Sequence, residues 1–237
     1  CTAIGGGGNG HSNITINGGT ITAVASGTGT AIGGGTGFSY AGGRGYVTIN
    51  NGNVYAYNFT NIYNIPSSAI GGAGSSAREG SLGKVIINGG NVYAESGLGT
   101  AIGGGSSSNQ RGGSAQIEIY GGNVIAKSLS ANSAGIGGGT TGFGGNGTWT
   151  GGDDSKKNGG DAIVIIGQEA KINDLSAPIL RTGSIGGGGS GVGGNIGNAN
   201  ITIYGGDIQA QFVMADSPSN SFIMEGGLIR NSDTSDD

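Results

Sequence analysis

Ile14-Thr15-Ile16-Asn17-Gly18-Gly19-Thr20-Ile21-Thr22-Ala23 and, a few residues later, Ala31-Ile32-Gly33-Gly34-Gly35 are the two phrases on which the fold turns. In the first, apolar residues recur at every second position on both sides of a Gly-Gly pair. That is the period of a strand, whose successive side chains point to opposite faces, and not the period of a helix. Ile14, Ile16, Ile21 and Ala23 then share one side, with Thr15, Thr20 and Thr22 on the other. The glycines between the halves lack a Cβ and reach positive φ, as a sharp corner between two strands requires.

Both phrases recur. The first returns as Val85 to Ala94, Ile117 to Ala126 and Ile201 to Ala210, and Val47 to Ala56 fits with Asn51 in place of the first glycine. Val164-Ile165-Ile166-Gly167 is a degenerate copy, and Phe222 to Ile229 begins a seventh. The second phrase recurs around Ile4, Ile32, Ile70, Ile102, Ile136 and Ile185, at intervals of 28, 38, 32, 34 and 49 residues. A fixed core with variable insertions, reading strand, corner, strand, loop, strand, loop, is one coil of a parallel β-solenoid. A single coil cannot bury its apolar side, but stacked coils build a continuous core. The expected fold is therefore all-β: a single parallel β-helix of six to seven coils. It is taken as right-handed because parallel crossovers are, and is about 30 Å long at ~4.8 Å per strand. Residues 1–230 form the solenoid and 231–237 a polar C-terminal tail or linker. Tyr57 to Ser68 and Gly142 to Gly160 are read as lateral loops.

Glycine supplies 59 of 237 residues, against a background of about 7%. Composition alone would class such a chain as disordered. However, the net charge is only −4 and charged residues make up 10%, so nothing repels the chain into an open coil. A polyglycine II bundle would need longer unbroken glycine triplets, and collagen a glycine at every third position. No window approaches the ~20 apolar residues of a membrane-spanning helix. The Lys and Arg residues form no basic stripe, so nucleic acid is not an expected partner. One Cys and one His exclude a zinc site and an intrachain disulfide.

Glycoside hydrolysis needs two positioned carboxylates, and lyase chemistry a base with acidic metal ligands. Here Glu79, Glu95, Glu118, Glu169, Asp174, Asp207, Asp216 and Glu225 fall singly along the repeats. Glu118 aligns with Thr15, Thr48 and Thr202, an outward strand position where a carboxylate is solvated. No catalysis and no cofactor is expected. Asp153, Asp154 and Asp161 are the densest acids and the calcium candidates, yet Lys156 and Lys157 lie between them and no calcium-binding nonapeptide occurs. A solvated loop accounts for them. His11 reads as an exposed loop residue, and Cys1 as a residue left by truncation or a thiol buried against a neighbouring coil.

Aromatic faces stack on sugar rings. Tyr55 and Tyr93 share the outward position of Thr22, Ile125 and Gln209 on neighbouring coils, and are the candidate glycan contacts; the β-propensity of tyrosine is the plainer account. Tyr120 and Tyr204 fall at the corner with Asn17 and Asn88. Asn17 and Asn88, with Asn50 or Asn51, align as an amide ladder. Asn13, Asn58, Asn146 and Asn200 head Asn-x-Ser/Thr sequons, the N-glycosylation candidates of a eukaryotic secreted chain. Threonine ranks are too irregular for an ice-binding array.

The pairing of Ala-Ile-Gly-Gly-Gly with Ile-Thr-Ile-Asn-Gly-Gly-Thr-Ile-Thr-Ala resembles the glycine-rich repeats of large secreted or wall-attached bacterial surface proteins. It is distantly similar to parallel β-helix proteins described as carbohydrate-binding. This resemblance covers nearly the whole chain through structural motifs, and carries over no functional residue. It implies an extracellular or cell-surface, non-catalytic part: a stalk, adhesin or filament subunit, or alternatively a polysaccharide-binding module. Cys1-Thr2-Ala3-Ile4 aligns with Gly29-Thr30-Ala31-Ile32 and opens in mid-repeat with no polar cap. Open strand edges invite pairing, so end-to-end self-association, or membership of a longer chain, is expected.

Overall fold

The computed structural model describes residues 2–59, 65–130, 132–141, 158–168, 178–189, 195–213 and 219–231. Among these residues there is no helix, and hence none long and apolar enough to cross a membrane. Every pairing between strands is parallel and joins one coil to the next, giving six coils and a partial seventh. The first strands of the coils (Ser12–Ile16, Gly45–Ile49, Gly83–Ile87, Ala115–Ile119, Ala162–Ile166, Ala199–Ile203 and Ser221–Met224) stack into one face. A second face is built from Thr20–Ser26, Asn53–Phe59, Asn91–Ser96, Asn123–Ser128, the start of Ile179–Gly186, Asp207–Val213 and Leu228–Asn231. Two-residue strands, Ile4–Gly5, Ile32–Gly33, Ile70–Gly71, Ile102–Gly103 and Ile136–Gly137, form a third column.

Register explains why the repeat tolerates such varied loops. Ile16, Ile49, Ile87, Ile119, Ile166 and Ile203 are successive partners, so that Ile49, Ile87, Ile119 and Ile166 each have an isoleucine above and below. All six are buried, as is the alanine rank Ala23, Ala56, Ala94 and Ala126 on the second face. A one-residue slip would turn every isoleucine of a strand outward. Burial of each contributes about 1.5–3 kcal/mol, so the register is strongly specified.

Glycine does two different jobs. At the third column, Gly5, Gly33, Gly71, Gly103 and Gly137 hold φ between +128° and +147°. A Cβ on any of them would lie 1.7–2.2 Å from the carbonyl oxygen of the next coil's glycine. Beyond this column the chain leaves each coil for its lateral loop and then returns. The leaving and returning residues, Gly7 and Gly10, Gly35 and Gly43, Ala73 and Ser81, Gly105 and Gly113, Gly139 and Gly160, Gly188 and Gly197, form one continuous series. Each N–H from Gly10 onward donates to the carbonyl of the residue before it, at 2.7–3.2 Å. The backbone is thus zipped along the axis through six coils. Only Ala73 and Ser81 carry a side chain there; the Ser81 hydroxyl donates to the Gly43 carbonyl at 2.5 Å. Hydroxyls close other buried carbonyls, as Thr30 and Ser68 do to Gly34 and Gly72.

The structure departs from the sequence expectation at one place and fills it in at another. Tyr57 to Phe59 continue the second strand of coil two and do not belong to a lateral loop. The degenerate fifth coil does have a second strand: Ile179–Gly186 pairs with Asn123–Ser128 through its start and with Ile136–Gly137 through Ile185. With no loop inserted between the two columns, Leu180 and Thr182 take the inward places of valine and alanine.

Candidate functional site: an aromatic lane on the second face

Alternation leaves every second residue of the second face pointing outward, and register lines these up along the axis. Thr22, Tyr55, Tyr93, Ile125, Arg181, Gln209 and Arg230 are successive partners in one such lane. Tyr55 is 36% exposed and directly opposite Tyr93. Tyr57 adds a ring 5.5 Å from that of Tyr93, and stacks on Phe59 at 5.8 Å with a 13° interplanar angle. Four aromatic rings therefore gather on coils two and three. The expected pair, Tyr55 and Tyr93, does lie in one lane; Tyr57 and Phe59 were missed, although Tyr55-x-Tyr57-x-Phe59 carries the period-two pattern past Ala56.

Two further lanes run beside Tyr55 and Tyr93. On one side Asn53, Asn91 and Asn123 are in register, and Asn91 Nδ2 donates to Asn53 Oδ1 at 2.9 Å. On the other, Val24, Tyr57, Glu95 and Lys127 follow one another. The Tyr93 hydroxyl donates to Glu95 Oε2 at 2.5 Å, and Lys127 sits opposite Glu95, so charge on this strip is locally matched. Rings bordered by amides and a carboxylate can stack on one face of a flat, hydroxyl-bearing ligand while hydrogen-bonding its edges.

Among the described residues, the other singled-out side chains do not converge. Glu118 accepts from the Tyr120 hydroxyl at 2.7 Å on the first face. This hydrogen bond, then burial and the carboxylate's charge, push the Tyr120 phenol up to about 12. Because the folded value lies above that of an unfolded tyrosine, the pair's contribution is complete below about pH 10 and is lost as pH rises through about 12. In an ultraviolet titration, Tyr120 should ionise near 12, and Glu118→Gln should bring it back toward its ordinary value. Asp207 pairs with Arg230 at 2.8 Å. Asp161, a calcium candidate, is paired with Arg111 and also accepts the Asn198 N–H at 2.9 Å. No three His, Cys, Asp or Glu residues gather as a metal site among the described residues. Asp153, Asp154, Glu169, Asp174, Asp216, Asn146 and Cys1 lie outside the described residues.

His11 is exposed and its Nδ1 accepts the Arg44 N–H at 2.9 Å. The amide ladder runs through Asn50, whose Nδ2 donates to Asn17 and whose Oδ1 accepts from Asn88, both at 2.7 Å. Of the sequons, Asn13 and Asn200 are exposed. Asn58 is 5% exposed, with Nδ2 donating to the Ser67 and Ser68 carbonyls, so a glycan there would have to displace both bonds. Compared with protein families, with curated proteins and with solved structures, the chain matches none.

Proposed function

We propose that this chain is a non-catalytic structural module of an extracellular or cell-surface protein, serving as a stalk, adhesin or filament segment. The axial backbone zipper carries the reading: a continuous, mostly glycine chain of backbone hydrogen bonds makes the stack of coils one stiff rod and leaves the loops free to vary. Each described carboxylate with a side-chain partner is held by a tyrosine or an arginine on its own or a neighbouring coil, which favours structure over catalysis. Antibody against the chain should label intact cells of its source; labelling only after permeabilisation would overturn the extracellular assignment. Turnover of any polysaccharide by the purified chain would overturn the non-catalytic one.

A second reading, polysaccharide binding, is favoured by the Tyr55–Tyr93 register. A glycan would lie along the axis, its rings on the tyrosines and its hydroxyls against Asn53, Asn91 and Glu95. The joint variant Tyr55→Ala, Tyr93→Ala should weaken binding about tenfold, since each lost ring contact is worth about 0.5–1.5 kcal/mol. Unchanged affinity in a titration calorimeter would sink this reading.

A further inference from the structure

Asn-Gly pairs can cyclise spontaneously, because glycine presents no Cβ to hinder attack by its nitrogen on the asparagine side chain. Five such pairs lie among the described residues: Asn9-Gly10, Asn17-Gly18, Asn51-Gly52, Asn88-Gly89 and Asn158-Gly159. Their local sequences are equivalent and their settings are not. At Asn9 and Asn158 the glycine N–H is committed elsewhere, to the Gly7 and Asn195 carbonyls, both at 2.9 Å. At Asn17 and Asn88 the side-chain amide is tied into the ladder through Asn50 at 2.7 Å. Asn51 is exposed, and its own Oδ1 accepts the Gly52 N–H at 2.8 Å. That bond brings the attacking nitrogen beside the amide carbon it must reach, which is the main entropic requirement for ring closure.

We propose that Asn51 is a site of self-deamidation, selective among these pairs. The Gly52 nitrogen gives up its proton to hydroxide and forms a bond to Asn51 Cγ. The bond from Cγ to the amide nitrogen breaks, and that nitrogen leaves as ammonia, protonated by water. Water then adds to either carbonyl of the succinimide, and the ring C–N bond that breaks decides between aspartate and isoaspartate. Nothing but water is consumed. The product puts a carboxylate at the corner of coil two, and isoaspartate adds a main-chain methylene just before Gly52. Gly52 and Asn53 are bonded there to both neighbouring coils, through Asn91 N–H to Gly52 O and Asn53 N–H to Gly19 O, each at 2.8 Å. Modification would therefore loosen the start of the strand that carries Tyr55.

The test is incubation of the folded chain at mildly alkaline pH, with peptide mass spectrometry for amide-to-acid conversion and isoaspartyl methyltransferase labelling. Conversion at Asn51 should run about tenfold ahead of the other four pairs, and Asn51→Gln should abolish the early labelling. In denaturant the five rates should draw together. Equal rates in the folded chain, a slow Asn51, or the same ranking after denaturation would each overturn the proposal.

Discussion

Gly103→Ala is expected to destabilise the solenoid severely, with a loss of at least about 4 kcal/mol from a domain whose whole stability is about 5–15 kcal/mol. Two independent causes add. The backbone at Gly103 holds φ +146°, which an alanine rarely adopts, and the new Cβ would lie 1.9 Å from the Gly137 carbonyl oxygen. Nothing nearby can yield, because the obstacle is the backbone of the next coil and that coil is bonded in turn to another. Gly18→Ala is the matched control: its corner is open, with no atom within 4 Å of an added Cβ. It should change stability by no more than about 0.5 kcal/mol. Urea denaturation followed by circular dichroism separates the two, and a Gly103→Ala chain as stable as Gly18→Ala would remove the third column from the account.

The second large effect is expected in the isoleucine rank. Ile119 is fully buried between Ile87 and Ile166. Ile119→Ala should cost about 2–5 kcal/mol, because a cavity opens between two side chains that cannot close on each other while their strands remain paired. Ile119→Asp should prevent folding, since a carboxylate there would be desolvated without a partner. Ile125→Ala, one coil-width away on the outward side of the second face, should cost far less. Shifts in the denaturation midpoint measure both; equal shifts for Ile119→Ala and Ile125→Ala would contradict the inward and outward assignment.

Most of the fold was legible because the repeat writes its register into the sequence. Ile14-x-Ile16 and Ile117-x-Ile119 announce a strand period, and the Gly-Gly between strands announces the corner. Coil five was harder: Ile179-Leu180-Arg181-Thr182 has lost both the Gly-Gly corner and the alanine, and only its neighbours impose the strand. The glycines before each first strand, Gly42-Gly43, Gly112-Gly113 and Gly159-Gly160, look from sequence like loop filler. Their role depends on residues of a different coil, which no local pattern encodes. Much the same holds for the aromatic lane. Tyr55 and Tyr93 could be matched by alignment, but Tyr57 and Phe59 belong to a strand two or three residues longer than the other copies of the phrase suggest. For two of the carboxylates the structure adds partners that the sequence does not announce, Tyr93 for Glu95 and Tyr120 for Glu118.

The axial zipper is the feature from which both the stiffness and the tolerance for varied loops follow, and amide hydrogen exchange tests it most directly. The N–H groups of Gly105, Gly113, Gly139 and Gly160 sit at the bases of loops, where exchange is ordinarily fast. If each donates along the axis, they should exchange as slowly as the core-strand amides of Ile117 and Ile119. Exchange of these glycines at the rate of an exposed loop residue such as Tyr40, with the core strands still protected, would contradict the zipper and the rod built on it.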